Sequence, residues 1–235
     1  MSLIKLKQSL KKASNKEHAK ILQRFFKTGP GEYGEGDVFI GIKVPPLRQI
    51  AKENLDLSFD EVQELLQSKI HEERLVALMI LVLRYKKEDE KTREKIFKIY
   101  LKNTNRINNW DLVDLSAGEI VGAYLFDKEK DILFKLVKSK LLWERRISVI
   151  ASFYFIKNNS FETTLKLSEQ LLNDKHDLIH KAVGWMLREI GKRNMEVEEE
   201  FLRNYYKTMP RTMLRYAIEK FPEEKRLAYL KGTIL

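Results

Sequence analysis

The run INNWDLVDLSAGEIVG places Trp110 four residues before Asp114, the spacing at which two side chains share one face of a helix. Nearby cations favour the charged form of a carboxylate, and an indole face attracts positive charge. An anion beside an indole suits a reaction in which a cationic group leaves and its charge passes to the atom left behind. Hydrolytic loss of a purine alkylated at N3 or N7 has that pattern. The base is already cationic and needs no general acid, and the sugar becomes oxocarbenium-like as the bond breaks. Asp114 would stabilise that sugar and orient the attacking water. One carboxylate suffices, unlike the acid and base pair of ordinary glycoside hydrolysis.

Other residues could complete such a site. Trp185, in HKAVGWMLREIGK, supplies a second indole, and Arg145, Arg146, Lys181 and Arg188 are candidates for binding phosphates, which position a duplex without reading its sequence. Each has a plainer explanation. An acid in the first turn of a helix stabilises the macrodipole by about 0.3–1 kcal/mol. Tryptophan is usually largely buried, and Trp143 is assigned to the core or to a seam between repeats. Surface arginines are ordinarily solvated or paired, with little energetic consequence. His176 and His180 stand four apart in HDLIH, but that run lacks the glutamate of the H-E-x-x-H zinc motif and no third ligand is near, so no metal is expected. GPGEYGEG has neither the lysine–serine/threonine end of a phosphate loop nor a strand before it. KKEDEK at 86–91 reads as a solvated turn.

The elements that must hold these residues are helices. Ten Gly and five Pro in 235 residues are too few for a sandwich or barrel. Ser58 before FDEVQELL is a capping signal, and Pro46, Pro210 and Pro222 suit first-turn positions. The periodicity predicts helices over 3–13, 16–26, 46–53, 59–67, 71–87, 90–102, 110–124, 129–138, 142–157, 161–172, 177–192, 196–207, 211–220 and 223–231. Residues 29–41 are too rich in glycine to join them. The stretches from Arg74, Arg146 and Lys181 are alike in pattern and fit a period of about 36 residues, with further copies near Trp110 and Arg215. The expectation is an all-α, HEAT-like helical-repeat solenoid forming a single domain over 1–235, with a concave basic groove. In that register Arg74, Trp110, Arg146 and Lys181 form one row across successive helices. Leu78, Asp114, Ile150 and Trp185 form the next.

Composition narrows the partners. The formal charge is +10, a field that favours polyanions but cannot by itself separate DNA, RNA and an acidic membrane. Cysteine is absent, which excludes disulfides and thiolate catalysis. No apolar run approaches a membrane span, and MSLIKLKQSLKK lacks the apolar core of a signal peptide, so a cytoplasmic, nucleoid-associated protein is expected.

The motifs also resemble a known family. INNWDLVDLSAGEIVG, LLWERRISVI and HKAVGWMLREIGK look like three motif regions of the AlkD branch of bacterial DNA alkylation repair glycosylases. VFIGIKVPPLRQIAK is similar to that family's F-x-G-I-x-x-P-x-x-R stretch. The similarity runs from about residue 20 to residue 220. It implies an all-helical fold and excision of cationic N3- and N7-alkylated bases from double-stranded DNA with no cofactor; a monomer with no membrane partner is expected. It also implies that Asp114 is the catalytic carboxylate and that Trp110 and Trp185 face the lesion. Arg146, or Arg145 if the alignment slips by one, engages the backbone, and Tyr33 matches an active-site tyrosine. A HEAT-like module that binds nucleic acid or protein without catalysis is the competing reading, since fold alone does not establish activity.

Overall fold

The structure, a computed structural model, describes residues 2–234. It is all-α, as the periodicity predicts, and among the described residues the only β pairing is an isolated parallel bridge between Val38 and Ile70. The chain divides into two compact units, the first ending at Ile120 and the second beginning at Val121. Among the described residues no helix is long and apolar enough to cross a membrane.

The first unit carries α1 (Leu3–Ala13), α2 (Lys16–Phe25), α3 (Val44–Glu53), α4 (Phe59–Leu66), α5 (His71–Tyr85), α6 (Glu90–Lys102) and α7 (Trp110–Ala117). Its centre is α5, which packs against α3, α4, α6 and α7. Leu75 through Val82 are all buried, the mark of a helix apolar on every side and enclosed by others. Helix starts follow the predicted chemistry. Ser58 and Glu61 form a reciprocal capping box on α4, and prolines occupy the first turn of α3.

The second unit carries α8 (Ala123–Leu125), α9 (Asp131–Leu136), α10 (Leu142–Ala151), α11 (Phe153–Lys157), α12 (Glu162–Gln170), α13 (Asp177–Gly191), α14 (Met195–Tyr205), α15 (Arg211–Ala217) and α16 (Glu223–Lys231). Here α13 is central and packs on α10, α14 and α15. Ile179, Ala182, Val183, Met186, Leu187 and Ile190 form its buried stripe. Lys181, Trp185 and Arg188 fall between them and are half-buried. Pro210 and Pro222 are the caps of α15 and α16, which begin at 211 and 223 as predicted.

The repeat is visible in the helix starts. α5, α7, α10, α13 and α15 begin at 71, 110, 142, 177 and 211, close to the period read from the sequence. Two predicted helices are interrupted. The stretch 110–124 passes through a π-helical turn at Gly118–Gly122, a distortion that often accompanies functional sites. The stretch 142–157 breaks at Ser152, between α10 and α11, where the Ser152 hydroxyl donates to the Val149 carbonyl, a local bond that competes with the helical ladder.

Candidate active site

The site begins at the start of α7. Asn109 is its cap and is fully buried, its side chain accepting from the Trp110 amide at 2.9 Å. Asp114 therefore lies in the second turn, and the first-turn acid is Asp111, so the macrodipole explanation applies to Asp111 and not to Asp114. Leu112, Val113, Ser116 and Ala117 face the core, while Trp110, Asp111, Asp114 and Leu115 are half-buried on the other side. Indole and carboxylate thus share one face, as their spacing implies. Behind them, Tyr100 is fully buried and its hydroxyl lies 3.0 Å from the Ser116 hydroxyl. Burial pushes the Tyr100 hydroxyl up, the Ser116 bond opposes that, and the charge of Asp114 adds to it.

Trp110 is also structural, as tryptophan often is. It stacks on Phe26 (5.1 Å, 21°), Phe26 stacks on Phe39 (4.9 Å, 17°), and Phe39 stacks on the imidazole of His71 (4.3 Å, 22°). One indole edge meets Phe25 at 5.9 Å. Phe25 is 60% exposed, so it extends the aromatic surface of Trp110 towards solvent. Sequence reasoning missed Phe25, whose only signal was a second aromatic beside Phe26 at the end of α2.

Tyr33 lies in the glycine-rich segment and is half-buried, with Lys27 Nζ 6.0 Å from its ring centre. Next to it, Gly34 approaches so closely that a Cβ would lie 2.4 Å from the Phe26 carbonyl and 3.3 Å from the Asn109 amide. The segment therefore abuts the cap of α7. Its amides are used internally: Gly29 donates to Glu32 and Gly31 to Glu35. Those amides are committed to the loop's own acids.

A buried charge cluster lies beneath the aromatic stack. His71 places Nδ1 3.0 Å from Asp37 and Nε2 2.8 Å from Asp111. Asp37 also accepts from the Arg74 guanidinium and from the amides of Asn108 and Asn109. Arg74 donates through its other nitrogen to the Ser68 carbonyl at 2.9 Å. Burial raises the Asp37 carboxyl, but His71 and Arg74 outweigh it and hold it below the usual range. Beside this cluster, Glu72 accepts the backbone amides of Ile40, Gly41 and Ile42 at 2.8–3.2 Å. The sequence carried one sign of it: HEER, a histidine and three charged residues opening an otherwise apolar helix.

The second unit holds the remaining candidates. Trp185 donates its indole N–H to Glu189 at 3.2 Å and leans on Phe153 at 5.5 Å. Arg145 pairs with Asp174 at 2.6 Å, Lys181 with Asp177 at 2.7 Å, and Arg188 with Glu219. Arg146 is only 5% exposed and donates to the Leu178 carbonyl at 2.5 Å. Arg74, its counterpart in the repeat, is 1% exposed. The register row of Arg74, Trp110, Arg146 and Lys181 thus holds buried guanidiniums at Arg74 and Arg146. A guanidinium carries five donors; Arg74 gives its to the Ser68 carbonyl and the Asp37 carboxylate, and Arg146 donates to the Leu178 carbonyl in the first turn of α13. Trp143 is half-buried in the first turn of α10.

His176 and His180 have structural roles as well. The His176 ring caps α13 by accepting from the Leu178 amide, and His180 bonds the Asp174 carbonyl at 2.6 Å. Burial, the largest influence, lowers the His176 imidazole. Among the described residues no group of three or more His, Cys, Asp or Glu side chains could hold a metal ion.

The model of a family described as DNA alkylation repair enzyme matches residues 6–221. A predicted DNA alkylation repair enzyme from Enterococcus faecalis shares the fold at a TM-score of 0.68 and 17% identity, covering 89% of this chain and 97% of that one. AlkD2 from Streptococcus mutans matches at a TM-score of 0.53 and 18% identity, covering 88% and 99%. At such identities the two structures speak for the fold alone. No curated protein matches by sequence.

Proposed function

The chain belongs to the family of DNA alkylation repair enzymes, and from that premise we propose that it is a DNA glycosylase releasing cationic N3- and N7-alkylated purines from duplex DNA. The observation that carries this reading is the pairing of Trp110 and Asp114 on the half-buried face of α7. An adaptor has no use for a carboxylate held beside an indole. A hydrolase that makes a sugar cationic has one.

In this mechanism the alkylated base departs as a neutral leaving group when the C1′–N bond breaks. Positive charge grows on the sugar. The Asp114 carboxylate stabilises that charge through space and accepts a hydrogen bond from the water that attacks C1′. Fixed charges that need no reorganisation are an effective way to lower such a barrier. Trp110, extended by Phe25, offers an aromatic face to the cationic nucleotide. Trp185 and Tyr33 are proposed as further contacts to the lesion. Lys181, Arg145 and Arg188 are proposed to hold phosphates by exchanging their present carboxylate partners for the DNA backbone, and Arg146 to support them from below.

The test is incubation of the purified chain with duplex DNA containing 7-methylguanine or 3-methyladenine, followed by chromatography of free base. Release above the spontaneous rate is expected, with none from unmodified DNA. Release no faster than the spontaneous rate would leave the competing reading, a binding module.

A further inference from the structure

We propose that His71 is a positioning residue: as an imidazolium between Asp37 and Asp111, it clamps the first turn of α7 to the 37–42 segment and so fixes the Trp110 indole. The assignment of that indole to the lesion rests on the glycosylase reading above; the clamp itself does not.

The geometry requires the charged ring. Both ring nitrogens face carboxylate oxygens, at 3.0 and 2.8 Å. A neutral imidazole has one N–H and one lone pair, so it would turn that lone pair towards an anion. Only the doubly protonated ring donates to both. Among the groups bonded to one another the charges also close: Asp37 and Asp111 balance His71 and Arg74, and Glu72 is taken up by the amides of residues 40–42. Removing the His71 proton would leave one negative charge in excess in a buried place, a costly state.

The groups around the ring come from four parts of the first unit. The 37–42 segment brings Asp37 and Phe39, α7 brings Asp111, and α5 brings Arg74. The end of α2 brings only the ring of Phe26, and Glu72 is turned to the amides of residues 40–42. Arg106 stands further out, its guanidinium bound to the Gln67 and Ser68 carbonyls. Burial lowers the imidazole, but Asp111 and then Asp37 outweigh it and carry it up to about 9.

Two routes join His71 to Trp110. The first is direct, through the adjacent residue. One Asp111 oxygen is held by His71 and the other has no hydrogen-bond partner among the described residues, so deprotonation of the ring releases Asp111. The second is the ring stack from His71 through Phe39 and Phe26 to the indole. A shift of about 1 Å in a positioned group can lower a rate by about 10²-fold.

Nuclear magnetic resonance of the full chain, with labelled histidine and tryptophan, tests the clamp without reference to activity. The His71 ring should be doubly protonated at pH 7 and titrate near pH 9, with the Trp110 indole N–H moving at the same midpoint. Asp111→Asn keeps the shape but removes one charge, and should lower that midpoint by about one pH unit or more. His71→Gln, which donates from a single nitrogen and cannot reach both carboxylates, should slow release from 7-methylguanine DNA by about 10²-fold while leaving affinity for unmodified duplex unchanged. If His71→Gln does not fold, Asp111→Asn carries the comparison. A Trp110 signal that stays fixed while His71 titrates, or a His71 midpoint near 6.5, would overturn the proposal. A wild-type chain that releases no base but shows the coupled titration would sink the glycosylase reading and leave the clamp standing.

Discussion

Arg146 and Lys181 began as equivalent positions in a repeat, and the structure gives them opposite surroundings. Arg146 is buried against the Leu178 carbonyl, whereas Lys181 forms an exposed pair with Asp177. Arg146→Ala should therefore destabilise the fold by about 1–3 kcal/mol, because a buried side chain loses both its packing and its charged hydrogen bond. Lys181→Ala should shift stability by under about 0.5 kcal/mol and instead weaken DNA binding. Thermal unfolding and titration with duplex DNA on the two variants separate these outcomes. The His71 clamp has a stability signature of its own. Its folded value lies above the unfolded one, so its contribution is complete below about pH 6.5 and fades as pH rises through about 9. What the sequence disclosed at this scale was local. Trp110 and Asp114 stand one turn apart, and their shared face follows from helix geometry. His71 finds its partners 34 and 40 residues away, and no spacing rule reaches that far.

Between elements, glycine and burial decide the seams. Gly184, beside Trp185, lies against α15, where an added Cβ would fall 2.4 Å from the Met213 carbonyl and 2.5 Å from the Tyr216 Cβ. Neither can yield cheaply, so Gly184→Ala should destabilise the protein by about 1–3 kcal/mol, readable as a lower midpoint in denaturant. The seam of α13 with α14 carries a second test. Glu198 is 1% exposed and packs against Gly191, and one of its oxygens has no partner among the described residues. Burial and then Glu199 push its carboxyl up to about 9, against Arg188. The folded protein thus holds a proton that the unfolded chain releases above about pH 4.5, and stability falls as pH climbs from there towards 9. Glu198→Gln should remove that slope, so its unfolding temperature relative to wild type should rise between pH 5 and pH 9. Helix positions were largely readable from capping and period. The breaks at Gly118–Gly122 and Ser152 were not, because both lie inside runs that stay apolar and helical in composition.

At the scale of the chain, the all-α class and the repeat were legible because each helix pair must bury the same kind of face against its neighbours. The division at residues 120 and 121 was not, since it falls within a π-helical turn and no proline- or glycine-rich linker marks it. The charge of +10 bears on association. Binding to unmodified duplex should weaken linearly in a log–log plot against salt, by about 10³-fold between 50 and 200 mM if roughly six phosphates are engaged. Lys181→Ala should flatten that slope by about one. The proposed catalysis rests on the Asp114 carboxylate, and the decisive measurement is single-turnover release of 7-methylguanine by wild type and Asp114→Asn, with affinity measured on the same duplex. A loss of about 10²–10³-fold in rate, with affinity equal or tighter because a negative charge is gone, is the predicted result. Equal rates at equal affinity would contradict the account.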